Sequence, residues 1–226
     1  VGPLMAGSDS YRIVVKGRQT HGARPWSGID PIVVSSQIVN ALQTVVSRQT
    51  DITANPAVVT VGAIKGGIRH NIVPDEVEMV GTIRTFDPQQ RATILKNIER
   101  LVTHTAAASG ATATFTLDSG HNPVVRNDPV LTERVLPSLR SVAGATNVRP
   151  VPLVTGAEDF AFFAEKVPSF FFFVGVTPRE QNQLSAASNH SPLFFVDESA
   201  LPMGQRAFAR VALDYLSSAN AAPPGP

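Results

Sequence analysis

The dipeptide Asp-Pro occurs at 30–31, 87–88 and 128–129, each time directly before a run with helical apolar spacing. Aspartate can accept hydrogen bonds from the first free amides of a helix, and proline fits the first turn, where an N–H would be unpaired anyway. Ile32, Val39, Leu42 and Val46 follow the first pair and predict a helix to about Arg48. After Asp87-Pro88, with Gln90 at the capping-box position, Ile94, Ile98, Leu101 and Val102 mark a second apolar face that Gly110 ends.

Strand-like runs flank both helices. Tyr11 to Val15 precedes the first and Val58 to Ile64 follows it. Val77, Met79, Gly81 and Ile83 then alternate with Glu78, Val80, Thr82 and Arg84, the period of a half-buried strand. Ala113 to Leu117 follows the second helix. Strand, helix, strand, strand, helix, strand is the split βαβ, ferredoxin-like sandwich, a four-stranded sheet with both helices on one face. It occupies residues 10–118.

Residues 119–217 read as part of a helix-covered α/β domain, so the fold class is α/β with an α+β sandwich ahead of it. Asp128-Pro129 opens a third helix with Leu131, Val135, Leu139 and Val142 on one side, Pro137 as a kink point and Gly144 at its end. Short strands are expected at Val148–Val154 and Phe170–Val174, a turn into a helix at Thr155–Phe163, and a last amphipathic helix at Ser199–Leu216. Strands this few need partners, so the rest of the sheet is expected outside this chain. Residues 218–226 read as a disordered tail.

Composition narrows the function classes. The 226 residues are 43% hydrophobic and 16% charged, which is globular, and a net charge of +1 gives no electrostatic reason to expect nucleic acid or a membrane surface. The absence of cysteine removes disulfides, thiolate nucleophiles and Cys-ligated metal, and leaves the compartment open between cytoplasm and periplasm. Phe170 to Val174 is too short to span a bilayer, and no signal-peptide pattern is visible.

None of the five histidines lies in a helical metal-binding pair, and there is no nucleophile elbow or phosphate loop. His21 stands before Gly22-Ala23-Arg24-Pro25, a loop that can present a side chain outward, and His190 follows the apolar run at 170–174. Asn71 and Arg84 bracket the third strand; an amide and a guanidinium fork suit a carboxylate, although a turn residue and a solvated edge charge would look the same. Glu158 and Asp159 lie at a turn into a helix, where acids also serve as caps.

The segments GRQTHGARPWSGIDPI, SRQ, VTVGAIKGG, NIVPDEVEMVGTIRTF, GAEDFAFF and NHSPLFFVDE, in this order, resemble one family. It is the metal-dependent amidohydrolase and peptidase family of aminoacylases and carboxypeptidases, in the branch of hippurate hydrolase and the indole-acetyl-amino-acid hydrolases. The resemblance runs from Gly2 to about Leu216 and implies a C-terminal portion only. It implies a catalytic domain with two divalent metals, zinc or manganese, and an inserted ferredoxin-like lid that forms a homodimer.

On that resemblance His21 would stabilise the oxyanion in the partner subunit's site. Asn71 and Arg84 would hold the substrate's carboxylate, Gly156 would line the cleft and His190 would be a metal ligand. Glu158 and Asp159 match an acidic pair of the branch without an assigned role. The resemblance further implies that the remaining ligands and the catalytic glutamate lie ahead of the lid, so this chain alone carries no complete metal site. The expected substrate is an N-acyl amino acid or small peptide-like amide. The alternative is a non-catalytic dimerisation module, or a small-carboxylate binder that uses Asn71 and Arg84 without metal.

Overall fold

The computed structural model describes residues 1–219, and the chain divides into two compact units. The larger comprises residues 3–126 and 153–167, the smaller residues 1–2, 127–152 and 168 onward. In chain order the first elements are β1 (Gly2–Met5), β2 (Gly7–Lys16), β3 (Thr20–His21), α1 (Pro31–Gln49), β4 (Ala57–Gly66) and β5 (Ile72–Val73). Next come β6 (Glu76–Thr85), α2 (Pro88–Ala108), β7 (Thr112–Leu117) and β8 (Val125–Asn127).

The main sheet has the order β4-β6-β2-β7, every neighbour antiparallel. This is the expected ferredoxin-like order. Alternation decides which face is buried. Tyr11, Ile13 and Val15 of β2 and Met79 and Ile83 of β6 are all 2% exposed or less, and they pack against Ile38, Leu42 and Val45 of α1 and Ile94, Ile98 and Val102 of α2. The intervening residues, among them Ser10, Arg12, Thr82 and Arg84, take the other face, where Arg12 pairs with Glu78. Gly81 lies opposite Tyr11, and a Cβ there would collide with the Tyr11 ring and the Thr60 carbonyl; the gap lets the Tyr11 hydroxyl donate to Thr60 O at 3.0 Å.

Both Asp-Pro starts form as expected. Asp30 Oδ1 accepts from Ile32 N at 2.9 Å, and Asp87 Oδ1 accepts from Gln89 N at 2.9 Å and Gln90 N at 2.8 Å. The reciprocal half of the capping box does not form, because Gln90 Nε2 instead donates to Asn55 O at 2.6 Å. β2 and α2 are joined by a buried fork: Arg91 Nε reaches Asp9 Oδ2 at 2.8 Å and Nη2 reaches Oδ1 at 2.6 Å.

The smaller unit is built on α3 (Pro129–Ala143), with a single turn α4 (Ala161–Ala164) belonging to the larger unit, and on α5 (Leu201–Ala219). Val135 and Leu139 of α3 meet Ala207 of α5, with Leu131, Phe170, Phe172 and Val211 around them. Asp128 Oδ1 accepts from Leu131 N at 2.8 Å, and Gly144, at φ 87°, closes α3.

Two expectations fail here. No strand forms at Phe170–Val174 or at Val148–Val154 among the described residues; Val154 makes only a single parallel bridge to Met5. A strand exists by pairing, and the neighbours that would pair these runs are not among the described residues. The Asn127 side chain stands in for one of them: its Nδ2 donates to Phe171 O at 2.9 Å and its Oδ1 accepts from Phe171 N at 2.7 Å. Ser218 and Ala219, the first two residues of the expected tail, belong to α5, and the rest of that stretch, 220–226, lies outside the described residues. Among those described, no helix is long and apolar enough to cross a membrane.

Candidate functional site

β3 and β5 form a two-residue ladder, Thr20 opposite Val73 and His21 opposite Ile72, and Gly22 N donates to Asn71 O at 2.7 Å. A Cβ at Gly22 would lie 3.0 Å from that carbonyl oxygen, so glycine allows the close approach. The ladder fixes His21 and Asn71 side by side at one end of the sheet, both exposed. Ala23 N donates to His21 Nδ1 at 3.0 Å. With Nδ1 accepting, the neutral ring carries its proton on Nε2 and presents an N–H outward. Such a group donates to a developing oxyanion without first being protonated.

Arg84 lies at the opposite end. It is opposite Ser8 of β2 and Val58 of β4, whereas Glu76, the β6 residue nearest Asn71, is opposite Lys16. Eight residues of strand separate Glu76 from Arg84, about 26 Å at the usual strand rise. Arg84 is half-buried, and its side chain makes no hydrogen bond or ion pair among the described residues. One chain therefore brings His21 and Asn71 together and keeps Arg84 apart from them.

The Arg84 end gathers other residues. Ser8 N donates to Asn122 O at 2.9 Å, and Asn122 Nδ2 donates to Asp159 Oδ1 at 2.8 Å. Ala6 N is within 3.1 Å of Gly156 O, which holds the Gly156 turn against the strand leading to Ser8. Neither Glu158 nor Asp159 caps α4 by its side chain; Phe160 is the residue before that helix. Asp159 is committed to Asn122, a partner that sequence reasoning missed because nothing local in Asn122-Pro123 points to a residue 37 positions away.

His190 is exposed in a turn of the smaller unit, where Ser191 N donates to Ser188 O at 2.9 Å. No group of three His, Cys, Asp or Glu able to hold a metal exists among the described residues. The donors present do not make a metal site, because even an open catalytic zinc needs about three protein ligands.

A peptidase dimerisation domain family matches residues 5–109. A thermostable carboxypeptidase of Saccharolobus solfataricus is 36% identical over 95% of this chain and 53% of its own length. An N-acetylcysteine deacetylase of Bacillus subtilis is 35% identical over 96% of this chain and 54% of its own length. An IAA-amino acid hydrolase of Arabidopsis thaliana is 33% identical over 95% of this chain and 49% of its own length. Among solved structures, a dinuclear metal-binding peptidase of the M20 family from Bacillus subtilis superposes with a TM-score of 0.72 at 32% identity, covering 96% of this chain and 52% of that one. The chain thus spans about half the length of the relatives it matches. Taken with the sandwich topology of residues 10–118, these matches show that residues 5–109 form a peptidase dimerisation domain and that the chain is similar, over nearly all of its length, to about half of each of several amidohydrolases and peptidases, one of them of the M20 family.

Proposed function

We propose that this chain is the C-terminal portion of a metal-dependent amidohydrolase that cleaves the amide bond of N-acyl amino acids or small peptide-like substrates. The observation that carries the reading is the shared chemistry of the relatives' names: a carboxypeptidase, an N-acetylcysteine deacetylase and an IAA-amino acid hydrolase all concern an amide at an amino acid. The enzyme works as a homodimer through the residue 5–109 domain, a reading supported by that domain's family.

His190 supplies one ligand of a divalent metal site whose other ligands and catalytic glutamate lie outside this chain. His21 donates Nε2–H to the oxyanion, and a fixed donor of that kind is worth roughly 3 kcal/mol in the barrier. Arg84, a free fork at the half-buried sheet end, takes the substrate's carboxylate. Asn71 contributes to the same carboxylate from the His21 end, and Gly156 lines the cleft beside Arg84.

The test is hydrolysis of N-acyl amino acids by the full-length enzyme. Arg84→Ala is expected to raise KM about tenfold or more with metal content unchanged. A normal KM in that variant would remove Arg84 from the site, and full activity after chelation would remove the metal.

A further inference from the structure

We propose that Asp159 is a positioning residue: through Asn122 it latches the Gly156 turn to the strand end beside Arg84, and so fixes the cleft wall that Gly156 and Arg84 share. The inference rests on the reading above that those two residues meet the substrate, and adds the group that holds one against the other.

Residues 4–8 are the spine of the arrangement. Val154 N donates to Leu4 O at 2.9 Å, and Ala6 N is shared between Val154 O at 2.9 Å and Gly156 O at 3.1 Å. Ser8 lies opposite Arg84 in the β2–β6 ladder. Ser8 N donates to Asn122 O at 2.9 Å, and Asn122 N donates back to Ser8 O at 3.0 Å. Ala6 and Ser8 are two residues apart, about 7 Å of extended chain. One short segment therefore carries the Gly156 turn and Asn122 side by side, with Arg84 next to its end.

The turn needs a second anchor. One N–H divided between two carbonyls, of which Gly156 O is the farther, holds that carbonyl weakly. No other hydrogen bond ties residues 155–158 to another segment among the described residues. Asp159 supplies the anchor, since its Oδ1 accepts from Asn122 Nδ2 at 2.8 Å. Asn122 is a firm support: its backbone is paired with Ser8 in both directions, and Pro123 after it restricts it to extended conformations. The bond closes a ring that runs from Gly156 to Ala6, along the chain to Ser8, across to Asn122 and Asp159, and back to Gly156 in three residues.

The choice of an acid fits this work. A carboxylate at a helix start ordinarily accepts from the free amides of the first turn. α4 has no side-chain cap, and Asp159 gives its carboxylate to a residue 37 positions away, while its backbone oxygen still begins the helix by accepting from Phe162 N at 3.0 Å. An ionised acceptor also makes the amide bond stronger than a neutral one. Glu158, its half-buried neighbour, makes no side-chain hydrogen bond among the described residues, so the two acids of the pair differ in role.

Kinetics of the full-length enzyme on N-acyl amino acids test the latch. Asp159→Ala is expected to raise KM about fivefold with kcat near the wild-type value, because a loose turn loses binding that substrate and transition state share. Asn122→Ala should match it, and the two together should be no worse than either alone. Asp159→Asn keeps an oxygen for Asn122 Nδ2 and should keep the wild-type KM and pH profile. Asn122→Asp sets two carboxylates together and should be the most damaging single change; adding Asp159→Asn restores a donor and should rescue it. A wild-type KM in Asp159→Ala, additive losses, or an inactive Asp159→Asn overturns the inference, the last by showing that the carboxylate acts through its charge or a proton. NMR relaxation of the 226-residue chain reads the latch without hydrolysis: the Gly156 amide should become mobile in Asp159→Ala and stay ordered in Asp159→Asn. An equally rigid Gly156 in Asp159→Ala overturns the inference whatever the enzyme cuts. A latch that passes this test in an enzyme that leaves N-acyl amino acids uncut sinks the activity reading alone.

Discussion

Asp9 is 2% exposed, and Arg91 holds it with two short bonds from a different element. The hydrogen bond to Asp9 raises the Arg91 pKa, so the cation is secured as well. Arg91→Leu leaves a buried carboxylate without its partner and should cost about 3–5 kcal/mol in urea unfolding, whereas Asp9→Leu with Arg91→Leu should recover much of that. A double variant as unstable as the single one would mean that the fork's shape, not its charge, matters. Tyr11 gives a pH signature. Burial pushes its hydroxyl up to about 12 from 10. The folded state then resists ionisation that the unfolded state accepts, so this stability is complete below pH 10 and is lost as pH rises toward 12. Tyr11→Phe should flatten that alkaline loss. Neither the fork nor the Thr60 bond was legible in the sequence, because both join residues far apart in the chain. Gln90 shows the same limit at short range: its spacing suited a capping box, and a backbone oxygen from another loop took its amide.

The elements of the sandwich were legible because each carries its own period and its own stop signal. Val77 to Arg84 alternates, and both flanking helices start on Asp-Pro, so the local code and the tertiary sheet agree. Phe170 to Val174 failed for the opposite reason. Its composition suits a strand, but a strand needs a neighbour, and composition says nothing about where the neighbour is. The Asn127 amide supplies both halves of one such pairing. Asn127→Leu should therefore destabilise the smaller unit by about 1–3 kcal/mol, with the loss concentrated in amide exchange at Phe171. Unchanged protection at Phe171 would assign the order of that segment to its phenylalanine packing alone.

At the scale of the molecule, the candidate residues were legible as types and not as a constellation. Sequence placed Asn71 and Arg84 on either side of one strand and paired them as a clamp; the fold puts a strand's length between them. If both serve one substrate, they come from different copies, and that has a consequence no single-chain site shares. In the full-length enzyme, Asn71→Ala and Arg84→Ala each remove one half of every site and should each be nearly inactive. In a mixed dimer, both defects fall in one site and the other site is whole. Random pairing makes half of the dimers mixed, with one good site in two, so co-expression should restore about one quarter of wild-type activity. Recovery at that level with wild-type KM requires a site shared between subunits. Activity no higher than the mean of the two variants would mean that each chain builds its own site, and that either Asn71 or Arg84 acts only in the fold.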